Sequence, residues 1–177
     1  MFYTVEIEDR IKVSLESSLE KEREVFEELK RKYVGRVLED GSICVLVVRV
    51  ANVHEYKVCD EFLVARVEFE ALLFKFFKYE VVCGTILEQN EDGIKLGVPF
   101  FSSLFVKKGD LPDMTEKVHV SDCGENQLAW VWIYRGNKLY FRRNACVRFR
   151  VLGCKEKSSL VLCSLGEAGL GPLEWWV

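Results

Sequence analysis

Few residues in this 177-residue sequence are equipped for chemistry. Histidine occurs only at 54 and 119, with no HExxH pair, no His/Cys cluster at zinc spacing and no GxSxG elbow around either. Gly166, Gly169 and Gly171 form neither a GxGxxG fingerprint nor a phosphate-binding loop. Carboxylates are plentiful, but no spacing singles out two of them as a catalytic pair. The sequence therefore predicts a non-catalytic protein with no cofactor and no metal site. What remains is a mixture of rings and cations: Phe100, Phe101, Phe105, Lys107 and Lys108, followed by Tyr140, Phe141, Arg142 and Arg143. Exposed rings stack on unpaired bases while Lys and Arg hold phosphates, so the mixture suggests a strand of nucleic acid as a ligand. The competing reading of each ring is a place in the core, where Phe is commonly found. Trp175 and Trp176 stand side by side, and two adjacent indoles are hard to bury together in one small domain. They are expected at a protein interface.

Composition limits how such a ligand is met. Hydrophobic residues make up 49% and charged residues 30%, enough apolar surface for a folded core. The net charge of −3 excludes a surface that is basic throughout. Residues 1–78 carry 13 basic and 16 acidic side chains, and residues 79–177 carry 12 of each, so nucleic-acid contact has to be local and belongs to the second part. Seven cysteines without a CxxC pair fit a reducing compartment. With no long apolar run and no leader pattern at the start, a soluble intracellular protein is expected.

The elements that must position these residues fall into two sets. Phe2, Val5 and Ile7 open a strand that Asp9-Arg10 interrupts before Ile11 and Val13. From Ser14 onward, Leu15, Leu19, Phe26, Leu29 and Tyr33 share one helical face; Ser14, Ser17 or Ser18 is placed to cap it and Gly35 to end it. The nearly continuous apolar run at 42–50 reads as a central strand covered on both sides. Residues 66–71 alternate, with Val67, Phe69 and Ala71 opposite Arg66, Glu68 and Glu70, as a half-exposed strand does. Beyond residue 78 helical periodicity gives way to strand-length runs separated by turns, which predicts a small barrel or sandwich. Trp130, Trp132 and Tyr134, and likewise Val147, Phe149 and Val151, are expected to fill it. The fold class is α+β: a small antiparallel sheet with one packed helix over 1–78, then an all-β barrel over 79–177. With no Pro- or Gly-rich linker at the join, the two domains are expected to share a strand or pack closely.

Several segments carry a family likeness. WVWIY (130–134), KLYF (138–141), VRFRV (147–151) and above all SLGEAGLGPLEWW (164–176) resemble the large stalk subunit of eukaryotic RNA polymerase III, a paralogue of the seventh subunit of polymerase II and of the matching stalk protein of the archaeal polymerase. MF-x-x-VE at the start, EEL-x-x-K (27–32), VCGTI (82–86) and GI-x-L-G (93–97) agree more loosely. The resemblance implies an N-terminal tip domain against the polymerase core, a C-terminal OB fold touching nascent RNA, and heterodimerisation with a smaller helical subunit. It also implies nuclear localisation and a part in transcription initiation on small RNA genes. On this view Phe100, Phe101, Phe105, Lys107, Lys108, Tyr140, Arg142 and Arg143 are the RNA-binding candidates, and Trp175 and Trp176 the interface. The chain departs from the family pattern in a short connection at Gly153 to Ser159 and in having Lys75-Phe76-Phe77 where a proline is expected between the domains. The alternative is a free-standing OB-fold RNA-binding module of translation or RNA decay.

Overall fold

The computed structural model describes residues 1–14, 21–59, 61–122, 125–154 and 160–176. They divide into two compact units, Met1–Lys75 and Phe76–Val177. Among the described residues no strand is common to the sheets of the two units.

The first unit is a three-stranded antiparallel sheet, β1 (Phe2–Ser14), β2 (Ile43–Cys59) and β3 (Phe62–Phe74), ordered β1-β3-β2, with one helix, α1 (Lys21–Tyr33), packed on it. Val25 and Leu29 of α1 are fully buried against Ile11, Val13, Val67 and Phe69. Phe26 and Tyr33 pack beside them, and Gly35 follows with φ +78°, as a helix stop requires. The expected contributions of Leu15, Leu19, Ser17 and Ser18 lie outside the described residues; Ser14 is the last residue of β1.

Two expectations are corrected here. The apolar run at 42–50 is not central: β2 is an edge, and β3, the alternating strand, lies in the middle. The reason is a series of register shifts along β2, at 44/46, 47/49, 50/52 and 53/55. Each sets two residues against one on β3, so the core-facing positions recur every third residue at Cys44, Val47, Val50 and Val53. The apolar residues between them, Leu46 and Val48, are over 40% exposed. Bulges of this kind also blunt an edge against unwanted strand pairing.

The second correction concerns Asp9, which does not interrupt β1. It sits in the core-facing row of the strand, where its carboxylate accepts bonds from the Arg10 N–H at 2.7 Å, the Lys32 ammonium and the Tyr33 hydroxyl. Burial alone would raise its pKa; the three donors outweigh it and hold the carboxyl below its ordinary value. Burial of the ring, and after it the same contact, push the Tyr33 hydroxyl up. Asp9 thus ties the last turn of α1 to β1. A group with a depressed folded pKa stabilises above the ordinary carboxylate range and loses that contribution as the pH falls through its folded value. Asp9→Asn is expected to cost about 1–3 kcal/mol at pH 7, with the difference from wild type shrinking at acid pH, read from urea unfolding at pH 7 and pH 3.

The second unit is built on a five-stranded barrel. β4 (Val81–Asn90), β5 (Gly93–Val98) and β6 (Phe101–Lys107) form a meander; β10 (Cys146–Cys154) pairs with β4, and β11 (Val161–Ser164) closes the ring by pairing antiparallel with β10 and parallel with β6. This is the OB-fold order. Its interior is filled by Ile86, Ile94, Leu96, Leu104, Val106, Val147, Phe149, Val151 and Val161, each at most 1% exposed. Gly84 of β4 is required by closure: a Cβ there would lie 2.6 Å from the Gly97 carbonyl oxygen and 2.9 Å from the Phe149 ring. Between β6 and β10 the chain leaves the barrel to form an arm of three antiparallel strands, β7 (Thr115–Asp122), β8 (Glu125–Tyr134) and β9 (Asn137–Tyr140). The short β12 (Gly171–Pro172) then adds to β10.

Candidate functional site

Hydrogen bonds from the Gln89 and Trp130 side chains join the arm to the barrel. Gln89, near the end of β4, donates from Nε2 to the Phe141 carbonyl at 2.7 Å and accepts at Oε1 from the Trp130 backbone N–H at 2.9 Å. Trp130 Nε1–H reaches the Asn90 carbonyl at 3.0 Å, and the Phe141 N–H bonds the Trp130 carbonyl, also at 3.0 Å. Trp130 is 1% exposed, so its indole is buried as expected, though in the joint and not in the barrel. Trp132 is half-buried and Tyr134 is exposed.

Next to this joint lies a groove of about 400 Å³ between the arm and β4. Val120, Leu128 and Ala129 give it an apolar lining, Tyr140 and Phe141 an aromatic one, and Arg142 and Arg143 stand at its rim. The two arginines belong to a tight turn. The Ala145 N–H closes it onto the Arg142 carbonyl at 3.1 Å, and Asn144 (φ +65°) and Ala145 each bond backbone groups of Ile86. Both arginines are exposed, and neither has a carboxylate partner among the described residues. Arg31, Arg49, Arg66 and Arg150, by contrast, all sit in ion pairs. Tyr140 is half-exposed.

The other candidates divide. On β6 the alternation set by Leu104 and Val106 turns Phe105 and Lys107 outward, and Phe105 lies across from Lys95 of β5. Lys108 begins the short 3-10 turn Lys108–Asp110, exposed like Lys107 and likewise without an ion pair among the described residues. Phe100 is a half-buried turn residue between β5 and β6. Phe101 is a correction: it is 6% exposed, packed 6.3 Å from the Phe76 ring, and has no open face for a base to stack on. The sequence reading passed over Gln89, Val120, Leu128, Ala129 and Lys95. Only Lys95 carries a type that could have been singled out; the others acquire a role through their neighbours in space.

The two adjacent tryptophans part company. Trp175 turns inward, its ring 4.7 Å from Phe141 and 5.6 Å from Trp132. Gly171 makes room for it: with φ +102°, a Cβ there would meet the Trp175 ring at 2.9 Å. Trp176 keeps 46% of its surface exposed and bonds the Leu170 carbonyl through Nε1 at 3.2 Å.

Residues 80–156, which span β4 to β10 and therefore both the joint and the arginine turn, match the family model described as RNA polymerase III subunit Rpc25. The whole-chain likeness agrees with it. The DNA-directed RNA polymerase III subunit rpc8 of Dictyostelium discoideum is 24% identical, over 99% of this chain and 85% of its own length. The corresponding subunit of Bos taurus is 24% identical over 99% and 98%, and that of Schizosaccharomyces pombe 29% over 71% and 63%. The segment that holds the barrel strands β4 to β10 and the arm is thus similar to RNA polymerase III subunit Rpc25. The relatives it resembles over almost its whole length are named as subunits of DNA-directed RNA polymerase III, and the OB barrel is the architecture on which this chain presents its groove. Removing the joint should loosen the arm: Gln89→Leu leaves the Trp130 N–H and the Phe141 carbonyl without partners, at an expected cost of about 1–3 kcal/mol per orphaned group. The denaturant midpoint measures it, with a red shift of the Trp130 emission as the local signature.

Proposed function

We propose that this chain is a polymerase III subunit that contacts nascent RNA through its OB unit, forms a heterodimer with the smaller helical stalk subunit, and acts in transcription initiation of small RNA genes in the nucleus. The first unit serves as the tip against the polymerase core. Trp176, the more exposed of the two indoles, is offered to a protein partner. The observation that carries the RNA part is the set of four exposed cations, Lys107, Lys108, Arg142 and Arg143, without ion-pair partners among the described residues, in a unit that also holds Phe105 and Tyr140 half-exposed. Unpaired cations beside open rings are the equipment of single-strand binding, with phosphates held by charge and bases by stacking. A near-neutral unit gives modest affinity by itself, which suits a subunit to which the enzyme delivers the transcript.

Two measurements test this reading. Single-stranded RNA affinity should fall steeply with salt, and reversing Lys107, Lys108, Arg142 and Arg143 should flatten the slope of log K against log salt by about 0.7 per lost phosphate contact. An unchanged slope removes those residues from the site. Affinity capture from extract should recover the large polymerase III subunits and a small helical partner; ribosomes or nucleases in their place would favour the free-standing RNA-binding module.

A further inference from the structure

We infer that the groove between the arm and β4 seats one unstacked RNA base, making the subunit selective for single-stranded over duplex RNA; this rests on the RNA-contact reading above. A groove of about 400 Å³ falls within the ~300–1,000 Å³ span of small-ligand sites. Its chemistry is divided as a nucleotide's is. Register puts Tyr140 across from Val131 and Ala129 across from Val118, so Tyr140 and Ala129 share one face of the arm. That face supplies apolar surface and a ring, which suit the flat face of a base. The rim supplies two guanidiniums, which suit the phosphates on either side of it.

The rim is rigid. Arg142 and Arg143 project from a turn closed on itself and bonded on its far side to Ile86 of the barrel wall. Little ordering cost therefore remains for ligand binding. The floor is rigid as well, because Phe141 is fully buried and fixed by Gln89 at its carbonyl and by Trp175 at its ring. Gln89 spends one Nε2–H and one Oε1 lone pair in the joint, so its amide is held in a fixed orientation at the groove wall. The apolar lining and the Tyr140 ring take a base by shape and stacking.

Two features set the direction of the strand beyond the groove. Glu88 lies past Arg143, in a smaller extension of the groove, and its carboxylate is 3.6 Å from the Lys95 ammonium. Lys95 is the cross-strand neighbour of Phe105, and Lys107 follows two residues along on the same outward face. A strand leaving the groove past Arg143 meets Lys95, then the Phe105 ring, then Lys107. A duplex, with its bases paired and stacked, can reach the arginines but cannot enter the groove.

The full chain, titrated with a twelve-nucleotide single-stranded RNA carrying one 2-aminopurine, provides the test. Binding should quench the 2-aminopurine, and the matching RNA duplex should bind about tenfold more weakly. Tyr140→Leu should abolish the quench. Ala129→Trp, which fills the groove and leaves both arginines in place, should cost about tenfold in affinity without changing the salt slope. Retained near-ultraviolet dichroism shows that each variant is folded. Equal affinity for duplex and single strand overturns the inference while leaving RNA contact intact. So does a quench that survives in both variants, or equal competition by polyglutamate. Absence of any single-strand binding at low salt overturns the RNA-contact reading itself.

Discussion

The amide of Gln89 is the point on which the candidate surface depends. One side chain reaching out of β4 bonds the Trp130 N–H and the Phe141 carbonyl, two backbone groups of the arm. Trp130 returns a bond to the carbonyl of Asn90, the residue after Gln89. The arm is a three-stranded excursion whose own sheet shares no strand with the barrel, and small sheets of that kind hold their position poorly without such anchors. Everything that lines the groove from the arm side, Tyr140 and Ala129 included, is placed relative to the barrel by this joint. Trp175 reinforces it from the other side, wedged against Phe141 and Trp132 where Gly171 leaves room.

Closure of the barrel supplies the other fixed wall. The parallel pairing of β6 with β11 makes β4, β5, β6, β11 and β10 a ring, and β4 and β5 approach closely over the Phe149 ring at Gly84. Gly84 and Gly97 permit that approach. They are also the glycines of VCGTI and GI-x-L-G, two of the segments that carry the family likeness, so a pattern legible only as resemblance has a steric cause.

Local periodicity could be read wherever one residue faces one neighbour. The α1 face at Phe26, Leu29 and Tyr33, the alternation of β3 and the barrel rows at Val147, Phe149 and Val151 were visible for that reason. The order β1-β3-β2 was not, because the bulges of β2 replace a period of two with a period of three and make an edge strand look like a buried one. Asp9 looked like a strand breaker because its partners, Lys32 and Tyr33, lie more than twenty residues away. The candidate surface was half legible. Lys107, Lys108, Arg142 and Arg143 were marked by type and Tyr140 by its neighbours, but nothing in residue type separates Phe101, which is buried beside the Phe76 ring, from Phe105, which stays half-exposed. Gln89, Leu128 and Ala129 are ordinary residues until the fold assembles them.

The most direct measurement is a crosslinking map on the assembled enzyme. Polymerase III carrying this subunit, halted with 4-thiouridine in the emerging transcript, is irradiated and the crosslinked peptides are sequenced. Crosslinks concentrated at Tyr140–Arg143 and Leu128–Ala129, with a second set at Phe105–Lys108, are the predicted result. Crosslinks confined to residues 1–75, or none to this subunit at any transcript length, would contradict it.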